Sequence, residues 1–284
     1  MRAFLAALSL SLIGLGAYAE AADSRVDKIS QTRTIKVAYR TDAAPFSFLK
    51  DNEPVGYTID ICKIVIASLE RRLNIQGLKT EWVPVTAQSR LDAIVNGSAD
   101  MECGTTTVTL SRMKQVDFSS LVFVQSTGVI TKASSGIKSA RDLIGKKIAV
   151  ISGTTNEQAV NALNEKAQLK LTLLPVKDRS EGISLLGSGA VDAFAWDKIQ
   201  LAAAAAQYQN PQELVMLPDD LSIEPYAIVL PPGDSNFRVA VNAGLADMYR
   251  RGAIIPIYQK WISSVGLEPG ILLEALFMLG ALPE

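Results

Sequence analysis

WVPVTAQSRLDAIVNGSADMECG at 82–104 and LLPVKDRSEGISLLGSGAVDAFAW at 173–196 are two copies of one pattern. Each has an apolar strand ending in Pro-Val, a polar loop, a short helix, a Gly, then an Asp and a second strand. With one inserted residue, Gly97 matches Gly189, Asp100 matches Asp192 and Thr105 matches Asp197. IKVAYR at 35–40 parallels KIAVIS at 147–152 in the same way. A repeat with this content predicts two similar α/β lobes with a cleft between them. Ligands of α/β sheets sit beyond the carboxyl ends of the strands. The residues there are Arg40, Thr105, Ser152 and Asp197, the first candidates for ligand contact.

Working outward, residues 22–33 read as a polar lead-in to a strand at 35–39. FSFLKDNEPVGY reads as a hairpin around Asp51-Asn52, followed by an amphipathic helix over roughly 58–74 with Ile61, Ile64, Val65 and Leu69 near helical spacing. Strand 80–85, helix 88–96 and strand 99–103 complete the first copy. LVFVQSTGVIT at 121–131 is β-rich and long enough to leave one lobe and enter the other. In the second lobe, strand 171–176, helix 181–187 and strand 191–195 repeat the order, and DKIQLAAAAAQYQ continues as an Ala-rich helix. PYAIVLP at 225–231 returns as a second crossing strand, and FRVAVNAGLADMYRRGAIIPIYQKWI forms two helices. The expected limits are lobe one at 22–127, lobe two at 128–224, and a return to lobe one with C-terminal helices at 225–284. Paired crossing strands resist splaying but permit bending, so they make a hinge. ILLEALFMLGALPE at the end reads as a docked terminal helix, being too short to span a membrane.

Residues 1–21 have the form of a cleaved secretory signal peptide. Arg2 precedes an apolar run at 3–16, and Ala17-Tyr18-Ala19 or Ala19-Glu20-Ala21 supplies an A-x-A cleavage site. The apolar core is short for a span of ~20 residues. The mature chain of roughly 260 residues is ample for two cored domains. Cys62 and Cys103 are its cysteines, and export favours a disulfide between them over a metal site or a nucleophile. Two buried free thiols are the alternative. The formal net charge is −1, which gives no general field for nucleic acid. The chain has no His, which removes Ser-His and Cys-His catalysis and histidine metal ligands. No metal, cofactor or nucleic-acid partner is expected.

A free amino acid offers an α-carboxylate and an α-ammonium. Arg meets a carboxylate with a planar fork of two hydrogen bonds, and hydroxyls and helix N-termini add anion contacts. GTTTVTLSR supplies Thr105, Thr106, Thr107 and Arg112. SGTTNE at 152–157 supplies Thr154 and Thr155 before a helix, and Asp197 can meet the ammonium. Taken singly, a Thr run is also a turn, a strand-end Asp also a cap, and Arg112 also a solvated charge. Their convergence on strand ends favours a site.

RTDAAPFSF, VGYTIDIC, ECGTTTVTLSRMKQVDFS, ISGTT and AFAWD, in that order, resemble the sequence blocks of bacterial periplasmic solute-binding proteins of polar amino-acid ABC importers. The resemblance covers nearly all of residues 33–263 and is nearest to the glutamate/aspartate-binding subgroup. It implies two α/β lobes, each a sheet flanked by helices, joined by two crossing strands and closing on the ligand. It further implies a monomer in the periplasm that delivers to an inner-membrane ABC permease. By the same resemblance Arg112 takes the α-carboxylate, with Thr105 and Thr107 at hydroxyl and carbonyl contacts. Thr154 and Thr155 stand at the second-lobe carboxylate contact, and Asp197 at the ammonium. The subgroup's side-chain arginines correspond to Arg40 and, in PVTAQSR, Arg90. Two extra guanidinium groups in a closed cleft are costly without an anion, and a dicarboxylic amino acid supplies one. The chain departs from the subgroup at Ala87, where a Ser is usual, and at Arg179, where a His is usual.

A rival on the same fold is a periplasmic dehydratase acting on an aromatic acid, which needs a general acid or base such as Glu102 or Glu157. The lack of His and the complete amino-acid clamp favour binding without covalent chemistry. A sensor domain of a signalling receptor is a third reading, which the lack of a fused membrane or kinase segment in the sequence disfavours.

Overall fold

A computed structural model describes residues 24–263 and 268–283. The expected signal peptide at 1–21 and its alternative cleavage points lie outside the described residues. The chain opens with α1 (Arg25–Thr32), β1 (Thr34–Arg40), β2 (Asp42–Ala43), β3 (Ser47–Lys50), β4 (Glu53–Val55) and α2 (Tyr57–Arg72). It continues through β5 (Lys79–Val85), α3 (Arg90–Val95), β6 (Met101–Cys103), a 3-10 turn at Arg112–Lys114 and the long β7 (Asp117–Lys132). Then come β8 (Lys147–Ile151), α4 (Thr155–Ala167), β9 (Thr172–Val176), α5 (Arg179–Ser188), β10 (Ala193–Asp197), α6 (Lys198–Ala206) and β11 (Leu214–Met216). β12 (Ile223–Leu230), α7 (Ser235–Arg250), α8 (Ile254–Trp261) and α9 (Ile271–Leu279) finish it.

The strands join in the order β5-β1-β6-β12-β7-β10-β8-β9, with β11 also on β7. The parallel triplet β5-β1-β6 in one lobe is repeated as β9-β8-β10 in the other. β7 is shared. Its first part runs antiparallel to β12, and its last residues pair with β10 and β11. The chain therefore crosses between lobes twice, near Ser126–Thr127 and near Ile223, where Ser126 faces Ile223.

The sequence repeat has a structural cause. Asp100 donates its N–H to the Lys36 carbonyl and accepts the Lys36 N–H on its carboxylate, both at 2.8 Å. Asp192 makes the same pair with Lys147, again at 2.8 Å. Each Asp thus locks the start of its lobe's central strand. Gly97 and Gly189 both turn at positive φ, 75° and 78°, which a residue without Cβ adopts freely. Because the strand starts are pinned, the carboxyl ends of β1, β6, β8 and β10 align at one level, and there the lobes meet.

Three boundaries differ from the sequence expectation. The lead-in is the helix α1: Ser24 caps it and bonds Asp234, and Ile29 is buried. That support comes from α7, far along the chain. α3 starts at Arg90 because Thr86 and Ser89 exchange side-chain and backbone hydrogen bonds first. β10 is displaced two residues later than expected, since Asp192 is spent on the anchor, and this makes Asp197 its last residue.

α2 is the main helix of lobe one. Ile61, Cys62, Val65 and Leu69 form its buried stripe, and Asp60 with Arg71 and Arg72 match the helix dipole. Its start is tight, because a Cβ on Gly56 would lie 2.2 Å from the Phe46 carbonyl oxygen, at a φ of +133°. α9 docks through Leu273 and Phe277, the latter stacked on Tyr249 at 5.9 Å. No described helix is long and apolar enough to cross a membrane.

Cys62 on α2 and Cys103 at the end of β6 form a disulfide with a Cα–Cα distance of 6.4 Å. It fastens the helix to the strand that carries residues 104–107. The residues are 41 apart, and closing such a loop stabilises by about 4 kcal/mol in the chain-entropy account. Replacing both by Ala should lower the urea midpoint by a corresponding amount. An unchanged midpoint would show that the bridge does not support the fold.

Candidate functional site

The site is assembled from strand ends. Arg40 closes β1, Gly104–Thr107 follow β6, Ser152–Thr155 follow β8, and Asp197 closes β10. Arg40, Arg90, Arg112 and Asp197 are each at most 9% exposed, so four charged groups are withdrawn from water together.

Each guanidinium is held differently. Arg40 forms a fork with Asp42, Nε and Nη2 each donating at 2.9 Å. Arg90 donates from Nε to the Thr106 hydroxyl at 2.6 Å. Arg112 donates from Nη1 to the Thr107 carbonyl at 2.7 Å. Neither Arg90 nor Arg112 has a described carboxylate within ion-pair distance. Burial, then Arg112, then Arg40 lower the Arg90 pKa to about 9, partly offset by Glu102 and Asp197. Burial also lowers that of Arg112, against Glu224, Glu102 and Asp197.

Asp197 stands at the N-cap position of α6, but its side chain makes no capping bond. Its carboxylate accepts from Tyr226 Oη (2.5 Å), Asn156 Nδ2 (2.9 Å) and Gln200 Nε2 (3.1 Å). Burial and the Glu224 charge nevertheless raise its pKa to about 7, although Tyr226, Asn156 and Arg40 favour the ion. It is therefore an acid poised to ionise fully beside a cation.

The threonines divide by role. Thr107 and Thr155 approach each other across the cleft at 3.2 Å, and both donate to Glu224 Oε2 at 2.5 Å. Thr106 carries Arg90. Thr105 is buried near the start of the same loop. The Thr154 hydroxyl is committed to the start of α4: it donates to the Ile151 carbonyl at 2.6 Å and accepts the Glu157 N–H. Both hydroxyls expected at the second-lobe contact thus have protein partners, Thr154 at the helix start and Thr155 at Glu224. Ala87 packs into the apolar core of lobe two with Ile151, Val176 and Trp196, so the methyl that replaces a Ser serves lobe contact. Beside it, Gln88 donates to the Ser152 carbonyl at 2.9 Å. Arg179 begins α5 with its Nη1 buried and unpartnered, and Asp42 is the foremost charge acting on it.

Sequence reasoning missed Asp42, Glu224, Tyr226 and Asn156. Asp42 stands two residues from Arg40, near enough to be suspected. Glu224, 1% exposed, is an acid inside the apolar run IEPYAIVL, and a charge at that depth requires partners. Tyr226 and Asn156 gave no signal. The arginines do not stand alone at the cleft: Asp42 pairs with Arg40, Glu224, Glu102 and Asp197 act on Arg112, and Asp42 and Asp178 act on Arg179.

The comparisons with known proteins agree with this geometry. Residues 35–264 match the bacterial extracellular solute-binding proteins, family 3. An L-glutamate/L-aspartate-binding protein of Pseudomonas aeruginosa is 32% identical over 259 residues, 90% of this chain and 86% of that one. A glutamate/aspartate import solute-binding protein of Escherichia coli K12 is 32% identical, over 91% of this chain and 86% of its own. A solved ancestral arginine-binding protein bound to arginine superposes with a TM-score of 0.72 at 31% identity, covering 81% of this chain and 98% of that one. With the two-lobed fold and the strand-end site in place, the chain belongs to the bacterial extracellular solute-binding proteins of family 3 and is an amino-acid-binding component of ABC transport, not an enzyme.

Proposed function

We propose that the protein is the periplasmic receptor for an acidic L-amino acid, glutamate or aspartate, and hands it as a monomer to an inner-membrane ABC permease. One observation carries the reading: Arg90 and Arg112 are both buried, and neither is ion-paired to the protein. Two guanidinium forks without a protein carboxylate fit a ligand with two carboxylates. Arg112, with Thr107 beside it, takes the α-carboxylate, and Thr155 approaches from the other lobe. Arg90 takes the distal carboxylate. Arg40 is held by Asp42, so it and Arg179 set the field around the distal end. Asp197 takes the ammonium. Relatives that bind glutamate and aspartate support the ligand class, and the arginine-bound neighbour shows that this fold also carries a basic ligand.

The ligand joins Arg112 of one lobe to Asp197 of the other, so it stabilises closure over the two crossing strands by its differential affinity for the closed state. The contacts Gln88–Ser152 and Thr107–Thr155 are then the protein's own share of closure. The export signal read at 1–21 supports the periplasmic placement.

A thermal-shift panel of the standard amino acids should raise the midpoint most for glutamate or aspartate. A larger shift with arginine or a neutral amino acid would overturn the ligand class. In calorimetry, Arg90→Ala should weaken L-glutamate binding roughly a hundredfold or more, as loss of one partner of a buried charge pair does. Full affinity in that variant would remove Arg90 from the pocket. Asp197, with its pKa raised to about 7, must be ionised to hold an ammonium, so binding a neutral amino acid releases protons from it. The affinity for L-glutamine should therefore fall as pH drops through about 7 and recover above it. A Kd flat across that range would place the ammonium elsewhere.

A further inference from the structure

Glu102 is a buried acid that the clamp leaves unused. It lies on β6 with 0% exposure, and neither carboxylate oxygen has a hydrogen-bond partner. Its carboxyl folds back over Gly104, where a Cβ would stand 1.9 Å from Oε1 and 3.2 Å from Arg40 Cγ. An ion in such a place is costly unless cations hold it. Among the charges, Arg90 on α3 acts on it most strongly, then Arg40 at the end of β1 and Arg112 in the 3-10 turn. The neighbouring Thr106 hydroxyl is the remaining polar group. β1 and β12 meet it at Ala38 and Val229, and Cys103 beside it is in the disulfide, so none of these titrates.

Acids already stand among the cleft arginines, with Asp42 on Arg40 and with Asp197 and Glu224 acting on Arg112. A guest of net charge −1 adds one more negative charge to them. Its distal carboxylate also competes with Glu102 for Arg90, the cation that most favours the Glu102 ion. We propose that Glu102 takes one proton from solvent when an acidic amino acid binds, so that capture of a dicarboxylic ligand is coupled to proton uptake and capture of a neutral one is not. This rests on the acidic-ligand reading above and deepens it: Glu102 becomes a specificity-determining residue that lets a cleft already holding acids accept an anion.

Burial already pushes the Glu102 carboxyl up, with Arg90 the foremost restraint. Weakening that restraint raises it further. A group whose affinity for protons rises on binding takes protons up, so its share of the ligand affinity grows as pH falls. Asp197 works in the opposite direction, releasing a proton to meet the ammonium. It does so for every amino acid, and a comparison in which only Glu102 changes removes its share.

The test is calorimetry with L-glutamate in two buffers of different ionisation enthalpy, on the wild type and Glu102→Gln, between about pH 6 and about pH 8. The wild type should take up more protons than the variant, by an amount approaching one at some pH in that range. Equal proton counts overturn the proposal. Infrared difference spectra of the wild type alone decide the matter if the variant does not fold. Adding L-glutamate should create a protonated-carboxyl stretch that does not move with isotope-labelled ligand, and its absence overturns the proposal as well. If neither L-glutamate nor L-aspartate binds the wild type, the acidic-ligand reading fails and takes this inference with it. Binding with equal proton counts in the wild type and Glu102→Gln sinks this inference alone.

Discussion

Charge withdrawn from water must find opposite charge or hydrogen bonds, and the place where the lobes meet is built around that requirement. Arg40 meets Asp42 directly. Arg90 and Arg112 instead rest on a hydroxyl and a carbonyl of the same loop, Thr106 and Thr107. The nearby acids act on them through space without satisfying their forks. That leaves directed donors free. In the proposed reading they are the sockets for the two carboxylates of the ligand.

The rest of the molecule serves to hold those groups at one level. Asp100 and Asp192 fix the starts of the two central strands, so the strand lengths place Arg40 and the Ser152 loop at matching heights. The disulfide ties β6 to α2 just before the Gly104–Thr107 loop. Gly104 leaves room for the Glu102 carboxyl, and β12 brings Glu224 beneath the hydroxyls of both lobes. Glu224 thereby couples the hinge strand to the cleft: Thr107 and Thr155 share one of its oxygens, and Thr127 and Ser222, at the crossing points, share the other. A movement of one lobe over the other must change that cluster.

The two-lobed α/β architecture was legible from the repeat because its matched residues have backbone causes. Gly97 and Gly189 need left-handed turns, and Asp100 and Asp192 need neighbouring strand amides. The Cys62–Cys103 pair was legible because two cysteines in a chain that reads as exported have few other uses, and Asp197 stood out as a charge at a strand end. α1 was not legible, because the polar stretch 25–32 is stabilised by Asp234 and by burial of Ile29 rather than by any pattern of its own. The partners of Thr154 were not legible for a related reason: one hydroxyl serves either a helix start or a ligand, and its bonds to Ile151 and Glu157 depend on how the chain turns there.

Residue order alone thus carries the fold, the level of the strand ends and the guanidinium groups gathered there, since periodicity, glycine turns and local side-chain-to-backbone bonds act over short range. It does not carry the balance of charge. Asp42, Glu102, Asp197 and Glu224 come from four separate strands, and whether each neutralises, tunes or merely borders an arginine depends on distances and burial that exist once the sheets are packed. Electrostatic energy in a poorly hydrated cleft depends on those separations, so which acid borders which arginine belongs to the folded arrangement.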